Sequence, residues 1–185
     1  MPGANKDLRH IKTFNLISRQ VRNFIVPSVT RISFDHDPYK VLVSCILSLR
    51  TKDKTTIMAA NKLFKVAAKA EDMVKLSAGR IEKLIYPVGF YRNKAKVILG
   101  LSGRIAKDFK RLVPKNKEEL LGFKGVGRKT ANLVLGLGFK IPAICVDTHV
   151  HRISNRLGWV KTKSPLETEK KLEFLFPKMM WIRIN

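Results

Sequence analysis

Acidic residues are scarce in this sequence, strand-like alternation of apolar and polar residues is missing, and only two cysteines occur. Asp plus Glu number 14 against 37 Lys plus Arg, giving a net charge of +23 and a pI near 10.4. Such a field suits a polyanionic partner, nucleic acid or an anionic membrane, and carries no information about fold. No apolar run approaches the roughly 18 residues of a transmembrane helix. The N-terminal residues lack the long apolar core of a secretory signal, so an intracellular protein with no membrane partner is expected. Cys45 and Cys145 lie far apart in apolar surroundings, which excludes a disulfide framework and a zinc spacing and fits core thiols in a reducing compartment. No metal site is expected: His149 and His151 are two positions apart and do not share a helix face, and His10 and His36 stand alone.

What is present is helical periodicity. A helix is expected from Lys6 to Val26 through Leu8, Ile11, Phe14 and Val21, with Pro27 ending it. Asp37-Pro38 reads as an N-cap followed by proline at the first helical position, opening an almost wholly apolar helix from Tyr39 to Leu49. An amphipathic helix over Lys54 to Ala68 would bury Ile57, Ala60, Phe64 and Ala67. Further helices are predicted over Arg80 to Ile85 and over Asn93 to Phe109, and one is expected to start after Asn116. Ile141 to Val146 is apolar but has no strand to pair with, and is assigned as an extended connector. Asp147 caps the next helix, through Val150, Ile153 and Leu157. Ser164-Pro165-Leu166-Glu167 is a capping box opening a helix that runs to Phe176, where Pro177 stops it. The last residues, Lys178 to Asn185, look like the start of one more helix. The fold class is all-α.

The glycines of Gly125-Val126-Gly127 separate two of these helices, and a tight hairpin is the natural reading. The run from Lys129 to Leu137 continues at helical spacing, so the hairpin amides lie at a helix N-terminus, a ready site for a phosphate. Lys129 sits in the first turn, where the helix dipole, Arg128 beside it and partial burial all favour loss of the ammonium proton. Two readings of Lys129 stand side by side: a nucleophilic amine held beside nucleic acid, or one more phosphate contact. A nucleotide-binding phosphate loop is rejected, because Arg128 breaks the G-x-x-x-x-G-K-[ST] spacing and the preceding segment is helical rather than a strand. From Arg92 to Lys129 there are 12 basic residues and three acidic ones, so the charge lies on folded sequence and favours duplex DNA or structured RNA.

Four stretches, in this order and spacing, resemble the endonuclease III family, helix-hairpin-helix DNA glycosylases with AP-lyase activity. They are Ile46-Leu47-Ser48-Leu49-Arg50-Thr51-Lys52-Asp53, Val88-Gly89-Phe90-Tyr91-Arg92-Asn93-Lys94-Ala95, Gly125-Val126-Gly127-Arg128-Lys129-Thr130-Ala131-Asn132 and Val146-Asp147-Thr148-His149-Val150-His151-Arg152. The resemblance implies a six-helix barrel with the helix-hairpin-helix over residues 35–141. It implies a second helical domain from both chain ends, 1–34 and 142–185, here incomplete, with DNA crossing the cleft between the two. It further implies base excision repair of oxidised pyrimidines in duplex DNA, by a monomer acting in the cytoplasm or nucleoid, or in the nucleus of a eukaryote. Lys129 matches the family nucleophile and Asp147 the aspartate that assists it. Gly125, Val126, Gly127, Arg128, Thr130, Ser48, Arg50 and His149 become candidate DNA contacts, and Arg92 and Lys94 at most phosphate contacts.

Two departures stand out. Arg50 occupies the position where many members have a glutamine that fills the gap left by the flipped nucleotide. The family's four-cysteine loop for a [4Fe–4S] cluster has no counterpart in these residues, so no cofactor is expected in this chain. Alternative readings are a glycosylase for mismatched or alkylated bases, against which Lys129 argues, and a non-catalytic DNA-binding fragment.

Overall fold

A computed structural model describes residues 8–184 except 22, 23, 25, 26, 33 and 34. Helices make up its regular structure, and no strand occurs among the described residues. In chain order they are α1 (Arg9–Gln20), α2 (Ser28–Ile32), α3 (Pro38–Ser48), α4 (Asp53–Val66), α5 (Ala70–Met73), α6 (Ala78–Ile85), α7 (Tyr91–Asp108), α8 (Lys117–Leu121), α9 (Arg128–Leu133), α10 (Thr148–Arg156) and α11 (Pro165–Leu175). A π-helical turn, Val134–Gly138, extends α9, and a 3-10 helix, Lys178–Ile184, follows α11.

The hub is α3. Asp37 caps it by accepting from the N–H groups of Tyr39 and Lys40, and Pro38 supplies a preset first turn. From Val41 to Leu47 every side chain is buried, each large apolar one stabilising by about 1.5–3 kcal/mol. Such a helix needs neighbours on all sides, and α2, α4, α7, α9 and the π turn surround it. This larger hydrophobic cluster reaches from Val29 to Cys145. A smaller one joins Phe14 of α1 to Ile144, Val146, Val160, Leu172, Phe176, Met180 and Ile184. At its centre Phe176 meets Phe14 and Trp159 edge-on, with ring centroids 5.8 and 5.1 Å away.

Some expectations are corrected here. The first helix is shorter than read, its predicted ends at Lys6 and Val26 fall outside the described residues, and Phe14 is its one buried side chain. In α4 the buried stripe is Thr56, Ala59, Ala60 and Leu63, while Ile57 and Phe64 stand at its edge along an open groove with Lys40. In α10 Ser154 is the buried residue and Ile153 and Leu157 are exposed, because the chain doubles back and Trp159 N–H donates to the Ser154 carbonyl. In the capping box, Ser164 Oγ accepts from Glu167 N–H as read, but Glu167 reaches back to Lys163 N–H rather than to Ser164.

The helix read from Lys129 to Leu137 changes character after Leu133. The π turn carries Gly138 against the start of α3, where a Cβ on Gly138 would lie 2.8 Å from Pro38 Cα. Backbone cannot yield there, so Gly138→Ala is expected to cost about 1–3 kcal/mol as an overpacked core site. Gly103 in α7 is the contrasting case, since its Cβ would meet nothing, and Gly103→Ala should gain about 0.4–1 kcal/mol. Urea midpoints of the two variants read both signs; equal shifts would show that crowding at Pro38 does not limit the turn.

Candidate functional site

Two helix starts build the site. Asn116 Oδ1 accepts from Glu119 N–H at 2.8 Å and starts α8. This is the helix, not a strand, that the rejection of a phosphate loop requires. The chain then turns through Gly122 to Gly127. Val126 N–H bonds back to the Phe123 carbonyl, Val126 is buried, and Gly125 takes φ +82°, which a side chain rarely tolerates. Gly127 caps α9 in extended backbone, leaving the first-turn N–H groups of α9 without intrahelical acceptors.

The second start is α10. Asp147 Oδ1 accepts from the N–H groups of His149 and Val150 at 2.9 Å each, and Oδ2 lies 3.3 Å from Lys129 Nζ. What joins the two starts is a buried amide: Asn132 Nδ2 donates to the Ile144 carbonyl at 2.7 Å, tying α9 to the extended connector just before Asp147. Burial pushes the Asp147 carboxyl up, but the N–H of Val150, the Lys129 ammonium and the N–H of His149 outweigh it and leave the group below its ordinary range. Asp147 is therefore ionised at neutral pH, free to accept a proton or to face a developing cation. Lys129 is exposed, with 48% of its side chain open to solvent. The sequence reading had it partly buried.

The other candidate contacts divide. Arg50 is exposed, with φ +50° and its guanidinium 5.7 Å over the Phe90 ring. His149 is exposed near Arg152. Ser48 is half-buried and its hydroxyl donates to the Cys45 carbonyl. Thr130 and Val126 are buried, and the Val126 N–H is spent on the Phe123 carbonyl, so of the two only Thr130 keeps a first-turn N–H for a phosphate. Arg128 bonds the buried Glu169 at 3.1 Å, which Lys117 Nζ also meets at 2.6 Å. Lys94, read as at most a phosphate contact, is buried and its Nζ donates to the carbonyls of Leu47 and Leu49 and to Thr51 Oγ1. Burial pushes its ammonium down to about 8.

Burial pushes both cysteine thiols up, Cys145 to about 12. Among the described residues no group of three or more His, Cys, Asp or Glu could hold a metal ion. Two buried thiols do not fit a four-thiolate cluster.

The pattern of HhH-GPD superfamily base excision DNA repair proteins matches residues 43–178. The chain belongs to this superfamily. It is 48% identical to endonuclease III of Thermotoga maritima over 161 residues, 87% of this chain and 76% of that protein. It is 40% identical to mouse endonuclease III-like protein 1 over 80% of this chain and 50% of that protein, so it spans half the length of that relative. The solved structure of a trapped endonuclease III–DNA covalent intermediate superposes with a TM-score of 0.81 at 30% identity, over 95% of this chain and 81% of the other. The structure of a thermostable thymine-DNA glycosylase superposes with a TM-score of 0.78 at 23% identity, over 96% of this chain and 84% of the other, and so shares the fold.

The charge on Asp147 has a measurable sign. Because its folded value lies below the ordinary one near 3.8, its stabilisation is complete above that pH and is lost as pH falls through the folded value. Asn also caps helices, so Asp147→Asn removes the charge and keeps the cap. The parent should melt higher than this variant near neutrality, and the gap should close in acid below about pH 4; a gap that widens in acid would reverse the assignment.

Proposed function

We propose that this chain is a base excision repair DNA N-glycosylase with AP-lyase activity on oxidised pyrimidines in duplex DNA. The observation that carries this reading is the 3.3 Å contact between Lys129 Nζ and Asp147 Oδ2 beside a glycine hairpin. The superposition on the trapped endonuclease III–DNA intermediate supports it, as does the net charge of +23. A DNA substrate assigns the work to the nucleoid, or to the nucleus of a eukaryote.

The damaged nucleotide leaves the stack, because its glycosidic carbon is unreachable inside the duplex. The Lys129 amine gives up a proton to Asp147 and attacks C1′. The C1′–N bond to the base breaks as the new C–N bond forms, and the base departs with its electron pair and takes the proton that Asp147 received, leaving Asp147 ionised. Opening of the sugar ring leaves a protonated imine on Lys129, whose positive charge Asp147 faces across a short gap. The imine acidifies C2′; loss of that proton expels the 3′ phosphate by β-elimination, and water then hydrolyses the imine to free the lysine. The exposed hairpin and the first-turn N–H groups of α9 hold a phosphate of the bound strand, while Arg50 occupies the space of the displaced nucleotide.

Borohydride reduces an imine to a permanent amine. Incubation with an abasic-site duplex and borohydride is expected to yield a covalent protein–DNA adduct, and Lys129→Gln should abolish it, at least about 10³-fold, as for loss of a covalent nucleophile. Trapping by Lys129→Gln at the parent rate would assign the nucleophile elsewhere. DNA binding with no adduct and no strand cleavage by the parent would support the non-catalytic binding module instead.

A further inference from the structure

Lysine is rarely buried without a carboxylate partner, and Lys94 has none among its hydrogen bonds. It projects from α7 and is 5% exposed. Its Nζ meets the Leu47 carbonyl at 2.8 Å, the Leu49 carbonyl, and Thr51 Oγ1 at 3.1 Å. The Leu47 and Leu49 carbonyls close the C-terminal end of α3, where a cation is favoured by the unpaired acceptors and the negative end of the helix dipole.

Thr51 extends the clamp to a second loop. Its hydroxyl oxygen also accepts from Gly89 N–H at 3.2 Å. Gly89 approaches so closely that a Cβ there would lie 2.7 Å from the Arg50 carbonyl oxygen. The loop after α3 and the loop before α7 are thus fastened back to back. Each then takes left-handed backbone at one residue, Arg50 at φ +50° and Phe90 at φ +58°, a conformation that holds in non-glycine residues only where the surroundings enforce it. The result is an outward pair: Phe90 is 64% exposed, and the Arg50 guanidinium lies 5.7 Å over its ring. Both line a cleft of about 330 Å³ with Ile46, Leu49, Val97 and Gly125 of the hairpin. An exposed ring under a guanidinium offers a stacking surface and a cation to bases that have lost a neighbour.

We propose that Lys94 is a positioning residue that locks these two loops together, so that Arg50 and Phe90 meet the duplex as one preset cation–aromatic pair and act where a nucleotide has left the stack. The inference rests on the DNA-lyase reading above but concerns duplex recognition and not the chemistry at Lys129. Without Lys94 the loops part, and the protein loses its preference for an abasic site in a duplex over the same site in a single strand, which has no partner strand to hold open.

The test is single-turnover borohydride trapping on both substrates, for the full chain and for Lys94→Met, which keeps the apolar stem and removes the donors. The duplex-to-single-strand ratio is expected to fall about tenfold or more, as for a displaced positioning group. Thr51→Val, which removes the shared hydroxyl, should move the ratio the same way by less, and it carries the test if circular dichroism shows Lys94→Met unfolded. Equal losses on both substrates, or an unchanged ratio in a folded variant, would overturn the proposal. A parent that traps on neither substrate would overturn the lyase reading, and this inference with it.

Discussion

One buried amide sets the distance on which the site depends. Asn132 is 1% exposed, and its Nδ2 holds the Ile144 carbonyl at 2.7 Å. A hydrogen bond of this kind adds only about 0.5–1.5 kcal/mol net, but a buried donor left unpaired costs about 1–3 kcal/mol, so the connector has little freedom to drift. Asn132 lies one turn beyond Lys129 on α9, and Ile144 lies three residues before Asp147. The bond thereby converts two separate helix starts into one amine–carboxylate pair. Cys145 lies on the same seam, its thiol 3.6 Å from the Lys129 carbonyl, and burial keeps that thiol protonated and inert.

Around this seam some of the positive charge is tied down. Lys94 is folded inward onto carbonyl oxygens, and Arg128 and Lys117 share the buried carboxylate of Glu169. These cations act as internal fasteners joining α3 to α7 and α8 and α9 to α11. Arg50 and Lys129 remain open to solvent, and the proposed lyase function would put both beside the reacting nucleotide. A field of +23, carried mostly by exposed side chains, brings DNA to the protein; it is the placement of Arg50 and Lys129, not their exposure, that sets them apart.

Local rules made much of this legible in advance. Asp37, Asn116, Asp147 and Ser164 each cap the helix they were expected to cap, because capping involves a side chain and N–H groups two or three residues away. The connector over Ile141 to Val146 was equally readable, since an apolar run with no strand partner has few other choices. Long-range facts were hidden. Nothing near Lys94 in the sequence announces that α3 ends directly beneath it. Arg128 reads as a DNA contact until Glu169, 41 positions on, is seen beside it. At α4 Ala60 and Ala67 are buried as read, but Ile57 of α4 and Ile153 and Leu157 of α10 were misread for the same reason: periodicity finds an apolar stripe, but the neighbours decide which edge of the stripe is covered.

The tether between Arg128 and Glu169 changes how the hairpin can hold a strand. Its most prominent guanidinium already has an acid on one side, so a phosphate arriving there meets a half-neutralised group and not a bare cation. Beside the exposed Lys124 and Lys129, main-chain N–H groups can grip it, their directions fixed by the bend and their strength less dependent on ionic atmosphere than a free cation's. Docking at that point therefore depends on contour as well as on charge, since fixed N–H directions favour a strand whose backbone follows the bend.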